Sequence, residues 1–309
     1  MRARRPAPFK HVFVATDFSK GAALALERAA RLPILEGGSV TIAHVLSSGA
    51  SEKVRRVAET LAKERLKHAR QRVGAAAAAV GRGDIDVRTQ LSRGSSAYVG
   101  LVRSAREAGA DLVVIGRHGQ RLVRDLFIGS TAERVLRAGE LPVLVVSGKT
   151  TGPYRRPLFA VDLEDTCRSV VTTALRALPG ELVAATMVHA FHAPFEGFIT
   201  GGALPSHAAS VREEYRRSYR DSAASELAQL QARLGDVGVR WDTLIRHGDP
   251  RLIVVREAAR CQADLLAIGT HGRSGIAHAL LGSVAEWVLR AATCDVLVAR
   301  PARVSFRRP

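Results

Sequence analysis

The spacing Gly-x2-Gly-x9-Gly-Ser occurs twice in this chain, first as Gly116, Gly119, Gly129 and Ser130, then as Gly269, Gly272, Gly282 and Ser283. Each copy follows an apolar run opened by Asp-Leu (Asp111 to Ile115, Asp264 to Ile268) and leads into a helix-like segment. A glycine turn between a strand and a helix N-terminus suits one chemistry above others. The missing side chains let the backbone approach a polyphosphate, and the free N–H groups and dipole of the helix stabilise its charge. The N–H groups near Ser130 and Thr131 and the Ser130 hydroxyl are the donors in the first copy. A carboxylate closes the first strand of each half, Asp17 or Asp162, placed to accept from an adenine amine or a ribose hydroxyl, or to hold a divalent ion. His44-Val45 and His189-Ala190 close the second strands. In a doubly wound sheet these features all converge beyond the carboxyl ends of the strands.

Other chemistries lack their parts. The chain contains no Gly-x4-Gly-Lys-Ser/Thr loop, no Ser-Gly-Gly-x-Asp-Ser pyrophosphatase loop and no Gly-x-Ser-x-Gly elbow. Its three cysteines (Cys167, Cys261, Cys294) have no metal-ligand spacing and are too few for a disulfide framework, so they read as thiols in a reducing compartment. His118 and His271 sit in Gly-x-His-Gly, where a loop histidine hydrogen-bonds near phosphates more often than it acts as a base. His44 and His189 read as satisfied core or rim residues. The expectation is a protein that is not an enzyme, with no catalytic residues and no metal ligands.

The elements that must position these residues alternate between strand and helix. Aligned without gaps, 111–146 and 264–299 agree at about 17 of 36 positions, so the halves share a fold. The first half reads as strands near 12–15, 40–45, 85–91, 111–116 and 143–147, with helices near 19–32, 51–80, 96–108 and 130–138. The second reads as strands near 157–161, 182–189, 239–246, 264–269 and 296–299, with helices near 166–178, 210–234, 250–260 and 283–292. Apolar runs such as Leu112 to Ile115 and Val143 to Val146 suit a parallel sheet covered on both faces, joined by right-handed crossovers. Ser19 and Ser95 are expected as helix N-caps, and Asp249-Pro250 as a helix start. Thr150 to Pro153 lacks apolar periodicity and reads as a linker, dividing the chain into domains 1–150 and 151–309. After His189 the second half carries about eight additional residues. They include Phe191, Phe195 and Phe198 and the Gly201-Gly202 pair, and two readings stay open: a lid or partner loop, and an insertion packed on its own body.

Composition bounds the partners. With 309 residues there is chain for two domains, each with its own core. The 46 basic and 29 acidic residues give a formal charge of +17, which favours acidic partners without choosing among nucleotides, nucleic acid and anionic membrane surfaces. Arg212, Arg216, Arg217 and Arg220 with Tyr215 and Tyr219 could contact nucleic acid, but interleaved Glu213 and Glu214 fit a solvated helix face better. No long apolar stretch follows the basic N-terminus, so neither a secretory signal nor a membrane span is expected and the expected location is the cytoplasm.

On these residues the chain resembles the universal stress proteins, in their tandem form with two domains in one chain. The likeness covers roughly 10–147 and 155–300, and it includes the Ala-Asp-Leu before each motif and the Ala-Glu-x-Val-Leu-Arg after it. The resemblance implies an α/β fold of two repeated, doubly wound five-stranded parallel-sheet domains of strand order 3-2-1-4-5. Their last strands, 143–147 and 296–299, would pair antiparallel about a pseudo-twofold axis. It further implies ATP as ligand, with or without Mg. The family's nucleotide contacts map to Asp17, Val45, Gly116, Gly119, Gly129, Ser130 and Thr131, and in the second half to Asp162, Ala190, Gly269, Gly272, Arg273, Gly282, Ser283 and Val284.

Each half departs from the family pattern at a different corner. The second keeps Gly272-Arg273-Ser274-Gly275, whereas the first has Gly119-Gln120-Arg121-Leu122 and places Arg121, Arg124 and Asp125 in the loop. The first keeps Asp17-Phe18-Ser19, whereas the second has Asp162-Leu163-Glu164, whose Glu164 would repel phosphates if it faced the pocket. The second half is therefore expected to have the better phosphate cradle and the first the better base-side loop. The leading reading is an ATP-binding, stress-responsive regulator or sensor. A second is a scaffold or chaperone-like protein working through its basic faces and the 191–204 insertion with unidentified protein partners. A third is a slow ATPase. Because the two halves can satisfy each other's dimer edge, a monomer with an internal pseudo-dimer and a homodimer both fit.

Overall fold

In the computed structural model of the chain, residues 5–47, 51–119, 128–138, 141–148, 152–164, 167–181, 183–191, 207–270 and 281–299 are described. The apolar runs form ten strands. The first half supplies β1 (Phe9–Ala15), β2 (Ile34–Ser47), β3 (Asp86–Gly94), β4 (Leu112–Gly116) and β5 (Val143–Val146). The second supplies β6 (Pro157–Ala160), β7 (Val183–Phe191), β8 (Val239–His247), β9 (Leu265–Gly269) and β10 (Asp295–Ala299). Between them lie α1 (Lys20–Arg31), α2 (Glu52–Ala78), α3 (Ala97–Glu107), α4 (Ser130–Ala138), α5 (Cys167–Leu175), α6 (His207–Leu234), α7 (Pro250–Arg260) and α8 (Ser283–Ala291).

All ten strands join one sheet of order β3-β2-β1-β4-β5-β10-β9-β6-β7-β8, so each half has the expected 3-2-1-4-5 order. Pairing is parallel within each half and antiparallel only at the seam, where Val145 faces Val296 and Val143 faces Val298. The alternation of side chains along a strand sorts residues into two cores, one on each side of the sheet. Val12 and Val14 of β1 belong to the core under α1, α2, α5 and α6, whereas Phe13 and Ala15 belong to the core under α3, α4, α7 and α8. Both cores run without a break across the two halves.

A buried ionic network ties the halves at the seam. Asp295 is fully buried and accepts from Arg28 Nε (3.0 Å), Tyr154 Oη (2.8 Å), Ser147 N (2.8 Å) and Ser147 Oγ (3.1 Å). Arg28 also donates to Gly152 O (2.6 Å) and lies over the Tyr154 ring (4.3 Å). Such a carboxylate survives burial because its lone pairs are all used.

Three local expectations are corrected. The second strand begins at Ile34, not near 40, because a bulge absorbs Glu36-Gly37-Gly38: Phe9 pairs with Ile34 but His11 already pairs with Ser39, and Gly37 sits at φ +69°. The cap of α3 is Ser96, not Ser95, and its hydroxyl makes no capping bond. Phe191 is not part of any lid; it ends β7, is buried, and stacks on Tyr219 with ring centres 4.4 Å apart. The rest of the insertion, 192–206, lies outside the described residues. Ser19 and Asp249 cap α1 and α7, accepting from Ala22 N (3.2 Å) and Arg251 N (2.9 Å).

Candidate functional site

The carboxyl end of β1 is where the first half's site begins. Beyond Ala15 the chain turns at Phe18, which adopts φ +62°. Asp17 Oδ1 accepts from Ser19 N (3.0 Å), so the carboxylate is held against the start of α1. His44, at the end of β2, donates Nδ1–H to Thr16 O (2.7 Å), and the Phe18 ring tilts against it at 4.6 Å. That acceptor fixes the histidine tautomer and gives His44 a positioning job on the rim.

The glycines are explained by what a side chain would meet. A Cβ at Gly116 would lie 2.5 Å from Gly21 C and O, so the end of β4 and the first turn of α1 touch backbone to backbone. A Cβ at Gly119 would lie 2.5 Å from Asp17 Oδ2, which places the second glycine directly beside the carboxylate. Gly129 N donates to Arg117 O (2.8 Å), closing the loop onto the N-terminus of α4.

A cavity of about 680 Å³ opens there. Asp17, Val45, Gly116, Gly119, Gly129, Ser130 and Thr131, all seven positions expected for the first half, line it. One wall is apolar, from Ala15, Leu101 and Ile115; the other is the glycine loop and the first turn of α4. Volume and mixed lining are those of a small-molecule site. Glu133 also lines the cavity, and Arg137 engages its carboxylate (3.1 Å) while reaching Glu286 of the second half (3.5 Å). The loop residues 120–127 lie outside the described residues. Among those described, no group of three or more His, Cys, Asp or Glu is placed to hold a metal ion.

The second half repeats the backbone of this arrangement. Leu163 takes φ +66°, Glu164 N donates to Asp162 Oδ1 (3.2 Å), His189 Nδ1–H donates to Val161 O (2.9 Å), and Gly282 N donates to Thr270 O (2.7 Å). Asp162 follows β6, Ala190 lies in β7, Gly269 ends β9, Gly282 is the N-cap of α8, and Ser283 and Val284 open that helix. Gly272 and Arg273 lie outside the described residues, and so does the comparison of the two phosphate cradles. Glu164 is exposed.

The side chains around the two sites have diverged. In the second half the Cys167 thiol donates to Asp162 Oδ1 (2.6 Å), and burial, reinforced by that carboxylate, pushes the thiol up to about 12. Val45 lies over Gly100, the fourth residue of α3, where a Cβ would be 2.6 Å from Val45 Cγ1. The second half reverses the sizes, with Ala190 in the strand and buried Ile253 as the fourth residue of α7. Ser92 bonds Ser104 (2.8 Å) in the first half; at the matching positions Arg246 pairs with buried Glu257 (3.3 Å).

Several structural partners carried no signal in the sequence. Asp111 and Asp264, which open the motif strands, accept from backbone N–H groups of β1 (Lys10 and His11, both 3.0 Å) and of the segment before β6 (Arg155, 2.6 Å). Arg117, inside the first glycine motif, sends its guanidinium into the second half, to Leu289 O (2.8 Å), Arg290 O and Ala292 O. Burial draws its pKa below the usual guanidinium value. The only hint of Gly21 as a close-approach residue was a glycine two positions after a capping serine.

No helix among the described residues is long and apolar enough to cross a membrane. The chain is 29% identical over 220 residues to a universal stress protein of Mycolicibacterium smegmatis, covering 70% of each chain. A universal stress protein of Methanocaldococcus jannaschii is 32% identical over 107 residues, 35% of this chain and 58% of that one. In fold the chain is similar to a universal stress protein of Archaeoglobus fulgidus, with a TM-score of 0.65 at 16% identity over 95% of this chain and 99% of that chain. The model of the Universal stress protein family matches residues 8–147 and again 153–300. With both halves matched and the doubled 3-2-1-4-5 sheet in place, the chain belongs to the universal stress protein family.

Proposed function

We propose that the first half binds ATP in the cavity between Asp17 and the start of α4, and that the protein works in the cytoplasm as a stress-responsive regulator that binds the nucleotide without turning it over. The observation that carries this reading is the convergence on one cavity of all seven expected contacts, with Gly119 so close to Asp17 that a side chain there would displace the carboxylate. The apolar wall with Val45 suits a base. The α4 N-terminus, with Ser130 and Thr131, suits phosphates, since its unpaired N–H groups and dipole favour negative charge. Asp17 suits a ribose hydroxyl or a Mg ion accompanying the phosphates. His118 lines the cavity and serves as a hydrogen-bonding group in this reading, not as a base. Residues 1–150 and 151–309 act as the two units, with the second half able to take a nucleotide at the matching position.

Equilibrium titration of the purified chain with labelled ATP tests the proposal. Saturable binding is expected, weakened at least about tenfold in Gly119→Val, which fills the space beside Asp17. Absence of saturable binding to the wild-type chain at millimolar ATP would overturn it.

A further inference from the structure

Arg117 occupies the position between Gly116 and the His118-Gly119 pair, and both its backbone and its side chain are committed. Its N–H donates to Val146 O (2.9 Å) on the last strand of the first half, and its carbonyl accepts from Gly129 N (2.8 Å). These two bonds set how far the Gly116–Gly119 arm stands from the N-terminus of α4. Its side chain crosses the β5–β10 seam. The guanidinium donates to Leu289 O (2.8 Å), Arg290 O and Ala292 O at the end of α8. Carbonyls in a helix's last turn lack partners within the helix and carry its negative end, so a planar cation with several donors is matched to them in both geometry and charge.

Among the described residues, the second half has no counterpart to this brace. Its matching residue, Thr270, repeats the backbone pattern, donating to Ala299 O (3.2 Å) and accepting from Gly282 N (2.7 Å). A threonine side chain is too short to span the seam. Among the described residues the link runs one way: the first half's Gly116–Gly119 arm is held by the second half. The helix that holds it, α8, is the one whose N-terminus closes the second glycine motif at Gly282-Ser283.

We propose that Arg117 is a positioning residue for the phosphate side of the first half's site, so that this site is complete only when α8 of the second half is docked. The inference rests on the ATP-binding reading above. Arg117 acts through its loop; the two terminal nitrogens of its guanidinium go to α8 carbonyls and are given no role on a ligand. The base side, built from Val45 and Leu101 on other elements, is independent of it.

The two sides can be separated by titrating the full-length chain with ATP and with adenosine, in wild type, Arg117→Ala and Arg117→Lys, with the unfolding temperature of each recorded. Arg117→Ala is expected to weaken ATP about tenfold while adenosine affinity changes less than about twofold, in the range found when residues that link two sites are altered. Arg117→Lys keeps the charge but not the fork, and is expected to lose most of the same ATP affinity; if Arg117→Ala does not fold, this variant's split between ATP and adenosine decides. Unchanged ATP affinity in both variants overturns the proposal. So does equal weakening of ATP and adenosine, which marks a general structural role. Full rescue by lysine overturns it too, because long-range charge would then suffice. A wild-type chain that fails to bind ATP refutes the underlying ATP reading as well, and is told apart from these results because they all require wild-type binding.

Discussion

The three glycines of the first motif are equivalent in sequence terms, yet their surroundings predict three different outcomes for alanine. At Gly116 the new Cβ would lie 2.5 Å from Gly21 C and O and 3.0 Å from Ala22 N, all backbone. Ordinary contact needs about 3.4 Å or more, so β4 and α1 must separate by nearly 1 Å inside a packed interior. Overpacking of that kind costs about 1–3 kcal/mol, and the upper end applies because backbone cannot rotate away. For a unit of about 150 residues, that lowers the unfolding temperature of the first half by roughly 6–12 °C. At Gly119 the obstacle is Asp17 Oδ2, also at 2.5 Å, the end of a side chain. It can turn aside, at the expense of the Asp17 Oδ1 bond to Ser19 N, about 1 kcal/mol. The stability change is small, but the carboxylate leaves the cavity wall and ATP affinity falls about tenfold or more. At Gly129 the nearest atom is Arg117 O at 3.3 Å, and a shift of a few tenths of an ångström restores contact. Its stability change is expected below about 0.5 kcal/mol. Scanning calorimetry with ATP titration measures all three. A Gly116→Ala protein as stable as wild type would refute the packing argument, and a Gly119→Ala protein with unchanged ATP affinity would refute the role given to Asp17.

Removing one member of the buried seam pair, by Arg28→Met or Asp295→Leu, is expected to destabilise by about 3–5 kcal/mol, with partial recovery in Arg28→Met/Asp295→Leu; chemical denaturation measures the cycle. By contrast, Arg72→Ala, which breaks the exposed pair with Glu27, is expected to change stability by less than about 1 kcal/mol. Burial pushes the Cys167 and Cys294 thiols up from 9.0 to about 12 and raises Tyr154 well above 10.0. All three keep their proton in the folded state, so the stability they add is present below pH 9 and is lost as pH rises from 9 towards 12; the unfolding temperature should fall over that interval, less so in Cys167→Ala/Cys294→Ala. Burial lowers the His11 pKa below 6.5, so the unfolded chain takes up its proton first and stability falls as pH drops below 6.5, an acid-side slope that His11→Gln should reduce in the same measurement.

What the sequence disclosed follows the range of the forces involved. The unbroken runs Leu112 to Ile115 and Val143 to Val146 demanded strands covered on both faces, and the duplication then made the seam pairing of Val145 with Val296 foreseeable by resemblance. The glycine motif was legible because the requirement it meets is local: backbone packed too closely for a Cβ. The start of β2 was not, because Gly37-Gly38 breaks the pattern that the bulge then repairs. Phe191 looked like a loop aromatic because nothing nearby in sequence announces Tyr219 as its partner. Arg28 and Asp295 are 267 residues apart, and Arg117 and Ala292 are 175 apart; contacts across a seam leave no periodicity in either segment.

Among the described residues around the two sites, the backbone devices repeat and the side chains diverge. The backbone devices are duplicated: the left-handed residue after each first strand, the aspartate turn, the histidine bond to the preceding strand end, and the glycine closure onto a helix N-terminus. Of these, the glycine closure onto a helix N-terminus is the one suited to phosphate, which N–H groups at a helix start favour. Recognition of a base depends instead on side-chain volume and polarity; of the first-half residues compared, Val45 and Asp17 line the cavity. Val45 over Gly100 becomes Ala190 with Ile253, and the Ser92–Ser104 hydrogen bond becomes the Arg246–Glu257 ion pair. Asp162 is engaged by the Cys167 thiol, whereas Asp17 faces the cavity beside Gly119. The wall that carries Val45 thus differs from its counterpart at Ala190, and the helix that closes the second glycine motif is the one whose far end braces the first half. Under the binding reading, the described residues set the two halves apart on the wall that carries Val45 in the first and Ala190 in the second.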